Sequence, residues 1–311
     1  MTPGAKQSLD CPYRSQSLPG WSLRFGLFVC VAALLLTGCP PSIQIAPPQQ
    51  PGIGVESISA EEVSNVIDQR RARFQNLKAL GKVGIETWEE RFRFSEVFVL
   101  DTPSRFRLET LGAFDQPAIF LTSNESLLSL YSKKHNAIYR GIPSQENLFK
   151  LSGINLTVED MIFVLSGNPP LLQTVNAEWG IFLPEQQLFY LERLSLDEER
   201  VQRIWFDTTR SVITYLREHQ LPSGELFLEI QFDDYRAAEG DYAVPRRVLI
   251  NRPLENTLVN IEYEYFAVNQ QVDPALFTFQ PPDDAKIHIL DNVHEDELGT
   301  LVPYEEFRVT E

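Results

Sequence analysis

Apolar and polar residues alternate with two different periods along this chain, and the first period is that of a helix. After Ser59 the apolar side chains recur every three or four residues, the spacing of one helix face. Ser59 and Glu62 have the spacing of a capping box, and Gly81 offers a stop at the end of the series. The pattern therefore predicts an amphipathic helix over residues 59–80.

From residue 82 onward the period changes to that of strands with one buried face. Residues 82–88 and 91–100 predict a hairpin that turns at Glu89 and Glu90. Its second arm presents one apolar face, made of Phe92, Phe94, Phe98 and Leu100. Further strands are predicted at residues 104–110, 117–122, 126–132, 136–140, 187–194, 200–207, 210–219, 224–232, 244–251, 257–267 and 285–290.

Two shorter helices interrupt the strands. The first is predicted over residues 144–151, with Ser144 as N-cap and Gly153 as a stop. The second begins at Thr157 and runs over residues 157–166. It is apolar almost all round, so it is predicted to be buried.

This order of elements predicts one α+β domain over residues 58–290. Strands in meander order favour a single large, curved antiparallel sheet. The helices are the most apolar elements available, so we expect them to cover its concave face. Residues 291–311 are acidic and weakly patterned, and they are expected to form a loosely ordered tail.

Residues 1–38 have the three parts of a secretory signal. A polar segment with three basic residues precedes an apolar run at 25–36, and Leu36-Thr37-Gly38-Cys39 closes the segment. The run is shorter than the roughly 20 residues of a spanning helix, although a short membrane anchor is the alternative interpretation. The tetrad resembles a lipobox, which implies removal of residues 1–38 and attachment of lipid to Cys39.

The residues after Cys39 predict an anchored domain on a tether. Residues 39–57 are rich in proline and lack periodicity, as in a flexible linker. Pro40 stands where aspartate commonly causes retention in the inner membrane of Gram-negative bacteria, so the outer membrane is favoured. The other two cysteines, Cys11 and Cys30, would be lost with the signal, leaving no disulfide.

Composition and motifs argue against several classes of protein. The net charge of −16 argues against nucleic-acid binding through a basic face. The sequence contains no Gly-x-Ser-x-Gly elbow, no Walker loop and no Cys/His spacing of a metal site. We therefore predict no catalytic residue, no cofactor and no metal, and a periplasmic hydrolase is disfavoured.

Several segments follow one another as in a known group of proteins. They are Arg105-Phe106-Arg107-Leu108-Glu109, the loop at 111–117, Val164-Leu165-Ser166-Gly167-Asn168-Pro169, and residues 268–277. On these segments the chain resembles the LolA/LolB group of lipoprotein localisation factors, closest to LolB-like outer-membrane lipoproteins. The resemblance implies an unclosed β-barrel, a half-pipe of antiparallel strands lidded by helices, whose hollow takes acyl chains.

The resemblance also implies a role. LolB-like proteins receive lipoproteins from a periplasmic LolA-like carrier and insert them into the outer membrane. Expected partners are therefore acylated lipoproteins or related lipids, such a carrier, and the outer membrane itself. This chain is expected to be anchored by lipid on the periplasmic face of that membrane. The chain is longer than the LolB pattern and its loop at 111–117 differs, which leaves the cargo open.

Two groups of residues are candidates for binding. An apolar stripe is predicted to line an acyl-chain cavity, ordinary core being the alternative. Its members are Phe92, Phe94, Phe98, Phe106, Leu108, Phe120, Met161, Ile162 and Leu165. In the loop at 111–117, Leu111 and then Phe114 best match the exposed leucine with which LolB-like proteins enter the membrane, unless both side chains fold back onto the sheet.

A second function stays open beside lipoprotein insertion. The same fold could serve a non-catalytic structural or assembly lipoprotein that binds a protein partner. A filled interior favours that alternative, whereas a continuous apolar cavity favours acyl-chain binding.

Overall fold

One sheet of fourteen strands dominates the computed structural model, which describes residues 58–153, 155–238, 242–292 and 307–308. Three helices accompany the sheet in this part of the chain: α1 (Ala60–Arg73), α2 (Gln145–Ser152) and α3 (Val158–Leu165). The strands are β1 (Asn76–Glu86), β2 (Arg91–Asp101), β3 (Arg105–Leu111), β4 (Pro117–Asn124), β5 (Leu128–Ser132), β6 (Ala137–Gly141), β7 (Ala177–Leu183), β8 (Leu188–Ser195), β9 (Arg200–Asp207), β10 (Val212–Gln220), β11 (Leu226–Ala237), β12 (Ala243–Arg252), β13 (Thr257–Val268) and β14 (Lys286–Ile289).

The sheet is antiparallel except at one edge, and it is not closed. Its order is β14-β6-β5-β4-β3-β2-β1-β13-β12-β11-β10-β9-β8-β7, with β14 parallel to β6. Most neighbours are consecutive in the chain, while β1 joins the two halves by pairing with both β2 and β13. This curved, unclosed sheet with its helices confirms the predicted α+β half-pipe.

The predicted helix over residues 59–80 is right at its start and wrong at its end. Ser59 and Glu62 form the capping box, but the helix ends at Arg73 and β1 begins at Asn76. Residues 77–80 instead pair on one side with β2 and on the other with β13. Pairing on two edges satisfies their backbone groups and overrides the helical spacing of their side chains.

The remaining elements lie close to their predicted positions. The hairpin of β1 and β2 is confirmed, and so are the two short helices with Ser144 and Thr157 as N-caps. Gly153 has a φ of 71°, the left-handed conformation expected of a C-cap glycine. Strand β7, Ala177–Leu183, was not predicted, because as an edge strand it exposes Trp179 and Ile181 and lacks a clear apolar face.

The core lies between the helices and one face of the sheet. All the apolar residues of α3 are buried in a single cluster that includes side chains from β1, β2 and β13. The predicted burial of this helix is therefore confirmed. We call this face of the sheet the interior face and the opposite one the outer face.

Two residues of the acidic tail also reach the sheet. The ring of Phe307 lies 5.4 Å from the ring of Phe94, and Arg308 forms a β-bridge with Phe92. Arg308 also makes an ion pair with Glu90. The rest of the predicted tail beyond residue 292 lies outside the described residues.

Candidate acyl-chain site

An apolar crevice of about 30 Å³ lies beneath α3, between that helix and strands β12 and β13. Its helical side is formed by α3 and by the loop that follows α2. Its lining residues are Gly153, Leu156, Met161, Val164, Leu165, Ile250, Arg252, Thr257, Val259 and Ile261. Two residues of the predicted stripe, Met161 and Leu165, are therefore in its wall.

The C-terminal end of α3 is attached to the sheet by a hydrogen bond from a buried tyrosine. The hydroxyl of Tyr263 donates to the carbonyl of Leu165 at 2.8 Å. The hydroxyl of Tyr235 donates to the carbonyl of Ile213 at 2.6 Å and lies 3.3 Å from that of Gly167, and burial raises the pKa of both tyrosines. Both phenols are therefore neutral donors, and that of Tyr263 holds one end of α3 in place.

The chain after α3 is attached in the same way. The guanidinium of Arg71 donates to the carbonyl of Pro169 at 2.7 Å, and the amide of Gln202 donates to that of Pro170 at 2.8 Å. The N-terminal end of α3 is capped within its own turn by Thr157, and Glu159 links it to α1 by a partly exposed ion pair with Arg71, at 3.5 Å. Exposed ion pairs contribute little to stability. Opening of the crevice would therefore be easiest at that end, where the loop after Gly153 enters α3.

Arg252 lies at the wall of the crevice and was not predicted as a site residue. Its side chain is 3% exposed and makes a two-pronged ion pair with Glu255, at 3.1 and 2.7 Å. Burial opposes ionisation of Glu255, but hydrogen bonds from Arg252 and Asn155 prevail and lower its pKa. The third guanidinium nitrogen, Nη1, is buried without a hydrogen-bond partner in the described part of the chain.

Most of the predicted stripe belongs to the buried core and does not line this crevice. Phe98 packs edge-on against Tyr263 at 5.3 Å between ring centres, and Ile162 is fully buried. The residues of the stripe that are buried but do not line the crevice are Phe92, Phe94, Phe98, Phe106, Leu108 and Ile162.

Phe120 was placed on the wrong face of the sheet. It pairs with Glu109, whereas Leu108 pairs with Leu121, so Phe120 and Leu108 point to opposite faces. On the outer face Phe120 stacks on Phe279, with 4.6 Å between ring centres. The start of β4 has apolar residues on both faces, which removes the alternation that would reveal this from the sequence.

Glu96 is a further interior residue that the sequence reasoning missed. It lies on β2 between Phe94 and Phe98, pairs with Gly81 and Thr110, and is 4% exposed. Burial raises the pKa of its carboxyl to about 8, although a hydrogen bond with Thr110 works against this. The available signal was its spacing, two residues from Phe94 and two from Phe98, since alternate residues of a strand share a face.

The predicted membrane loop exposes one aromatic ring. Phe114 is 95% exposed at the tip of a 3-10 turn, Ala113–Asp115, and has a φ of 59°. Leu111, the first choice from the sequence, is instead the last residue of β3 and is half-buried between Ser95 and Pro117. The left-handed turn at Phe114 directs the ring away from the sheet, so Phe114 rather than Leu111 is the exposed apolar residue.

Other predicted features fall outside this part of the structure or form no cluster there. Cys39, the signal and the tether lie outside the described residues. Among the residues described, no group of three or more His, Cys, Asp or Glu side chains could hold a metal ion. No helix in the same ranges is long and apolar enough to cross a membrane.

Comparison with known proteins identifies the fold. No family model and no curated protein matches the sequence. A domain from Vibrio parahaemolyticus named for outer membrane lipoprotein sorting matches 70% of this chain and 97% of its own length, with 13% identity and a TM-score of 0.52. The chain shares the fold of this domain.

Two other solved structures match less well. One is a DUF1329 family protein from Desulfovibrio piger, with 13% identity, a TM-score of 0.49 and coverage of 70% of this chain and 95% of that one. The other is a LolA superfamily protein from Nitrosomonas europaea, with 12% identity, a TM-score of 0.46 and coverage of 72% and 99%. In the half-pipe of the present chain, the crevice lies between α3 and strands β12 and β13.

Proposed function

We propose that this protein binds acyl chains beneath α3 and helps to receive and insert lipoproteins, or related lipids, into the outer membrane. The observation that carries the proposal is the apolar crevice between α3 and strands β12 and β13. Apolar walls are what an alkyl chain needs, and the lipoprotein-sorting domain with the same fold points to acylated ligands. No covalent chemistry is part of the proposal.

The crevice must widen to hold a chain. Its volume is about 30 Å³, whereas ligand pockets typically measure about 300–1,000 Å³. The hydrogen bonds to Leu165, Pro169 and Pro170 hold one end of α3 and the chain after it, so we expect the other end to swing outward. Met161 lies in the wall and is a flexible side chain that adapts readily to a new neighbour.

The exposed ring of Phe114 would serve delivery. Full burial of a phenylalanine side chain is worth about 1.5–3 kcal/mol. One ring therefore gives weak, reversible contact with a bilayer, while lipid on Cys39 would give the lasting anchor. A periplasmic LolA-like carrier would be the donor of the cargo.

Binding of a fluorescent fatty-acyl probe to delipidated protein tests the first step. Met161→Ala enlarges the crevice and is expected to strengthen binding severalfold. Leu191→Ala, a buried leucine of β8 outside the crevice, is the matched control and should leave affinity unchanged. Absence of binding in every variant would refute acyl-chain binding.

Delivery needs a separate test. Depletion of the protein is expected to leave lipoproteins in the inner membrane, and a loaded LolA-like carrier should release its cargo to vesicles that bear the protein. Normal lipoprotein distribution after depletion would contradict this part of the proposal.

One observation favours a second candidate function. Phe98 and Phe106 are buried in the core and do not line the crevice, as expected of a structural or assembly lipoprotein that uses the fold to bind a protein partner. The two functions differ in one measurement. A scaffold would bind no acyl probe. Substitutions on its exposed surface would prevent binding of the partner and would not affect delivery of lipoproteins.

A further inference from the structure

The buried guanidinium of Arg252 marks a polar point in an otherwise apolar crevice. Two of its nitrogens, Nε and Nη2, are taken up by Glu255, and the ring of Phe227 lies 4.4 Å from its central carbon. Nη1 has no partner in the described ranges. A buried donor that lacks an acceptor costs about 1–3 kcal/mol, and more when it is charged.

Other groups in the crevice do not satisfy this nitrogen. The hydroxyl of Thr257 donates to the carbonyl of Glu255 at 3.1 Å. The other side chains of the wall are apolar, including Val259 and Ile261. A water molecule is well held only by about two to four polar partners, which such walls do not offer. An acceptor carried on an alkyl chain suits this environment better.

The charge of the site selects the kind of acceptor. Arg252, which is buried, and Glu255, which is partly exposed, form a pair that is neutral overall, and Asn155 donates a further hydrogen bond to Glu255 at 2.9 Å. A full negative charge beside this pair would be attracted by Arg252 and repelled by Glu255, and it would lose its hydration. A neutral carbonyl oxygen gains the hydrogen bond without that desolvation cost.

We propose that Arg252 is the polar recognition point of the crevice, and that it selects acyl chains bound as esters or amides over free fatty acids. The proposal rests on acyl-chain binding beneath α3 and names its ligand class. Nη1 donates to the acyl carbonyl, while Met161, Val259 and Ile261 surround the alkyl chain that follows it.

The test compares two fluorescent probes with the same alkyl chain, a methyl ester and the free acid, on the delipidated full-length protein. Wild type is expected to bind the ester about tenfold more tightly, the size of one hydrogen bond to a charged donor. Arg252→Lys should abolish most of that preference. The single nitrogen of lysine cannot hold both oxygens of Glu255 and also donate to the acyl carbonyl, as the guanidinium does.

Arg200→Lys is the matched control. Arg200 also lies over the ring of Phe227, with 3.5 Å between its central carbon and the ring centre, and it pairs with Glu218. It does not line the crevice. The control should keep the preference for the ester. If Arg252→Lys does not fold, Glu255→Gln gives a second test, since removal of the counter-charge should shift the preference toward the free acid.

The outcomes separate the inference from the proposed function. Equal affinity for the two probes, or a preference for the acid in wild type, overturns the role of Arg252 while acyl-chain binding stands. An ester preference that Arg252→Lys leaves intact also overturns it. Failure of both probes to bind refutes the proposed function itself.

Discussion

Replacement of Glu96 by glutamine is expected to change how the stability of the protein depends on pH. Glu96 lies on the interior face between Phe94 and Phe98, and burial raises the pKa of its carboxyl from 4.5 to about 8. In the folded protein the group therefore keeps its proton at neutral pH. In the unfolded chain it ionises near its ordinary value, so unfolding releases a proton between these two pH values.

The sign and size of the effect follow from this difference. Because the unfolded chain binds fewer protons, the free energy of unfolding falls as pH rises from about 4.5 to 8. Those two pKa values correspond to a loss of about 3 kcal/mol between pH 5 and pH 8. Glutamine keeps the shape and hydrogen-bonding capacity of the side chain but does not ionise, so Glu96→Gln removes this part of the slope.

Urea denaturation followed by tryptophan fluorescence at pH 5, 6, 7 and 8 measures the effect. Burial also raises the pKa values of Glu218 and Asp160, which produce a slope of the same sign, so the informative quantity is the difference between variant and wild type. From pH 5 to pH 8, the urea midpoint of the variant should rise by about 1 M relative to that of wild type. Glu185→Gln, at an exposed turn, is the control and should follow wild type.

Parallel pH profiles for Glu96→Gln and wild type would refute the argument. Such a result would mean that the Glu96 carboxyl is ionised in the folded protein, with an ion or water compensating its charge.

Three further predictions concern the lid, the loop and the anchor. Tyr263→Phe removes the hydrogen bond to Leu165 and should lower the free energy of unfolding by about 1–2 kcal/mol in urea titrations; an unchanged midpoint would contradict the attachment of α3. Phe114→Glu should change stability by less than about 0.5 kcal/mol yet weaken flotation of the protein with phosphatidylcholine vesicles, and equal flotation would exclude a membrane role for this ring. Cys39→Ser should move the protein from the membrane fraction to the soluble periplasmic fraction, whereas its recovery in membranes would disprove the lipid anchor.

Much of the fold could be predicted from local patterns. Ser144, Thr157 and Gly153 bound α2 and α3 as the sequence indicates, since a cap depends on residues within one turn. The hairpin of β1 and β2 followed from alternation alone. The end of α1 could not be predicted, because residues 77–80 satisfy a helical spacing and a strand spacing equally well.

The candidate site was only partly predictable. Met161 and Leu165 were identified because α3 is apolar all round and must be buried somewhere. Phe120 was misplaced, because the start of β4 is apolar on both faces. Arg252 was missed because a charged residue at the end of a strand is usually exposed. Here Phe227 and Glu255 pack against its guanidinium, and the sequence does not show these contacts.

By itself, the sequence determined most of the segments that form strands and helices and where most of them begin, since these choices depend on side chains a few positions apart. Only the tertiary structure decided which apolar residues face a crevice and which fill the core. Val83 shows the reason, since it pairs with Phe94 on one side and with Ile261, far along the chain, on the other. The volume left beneath α3 depends on such distant pairings, and no local pattern records them.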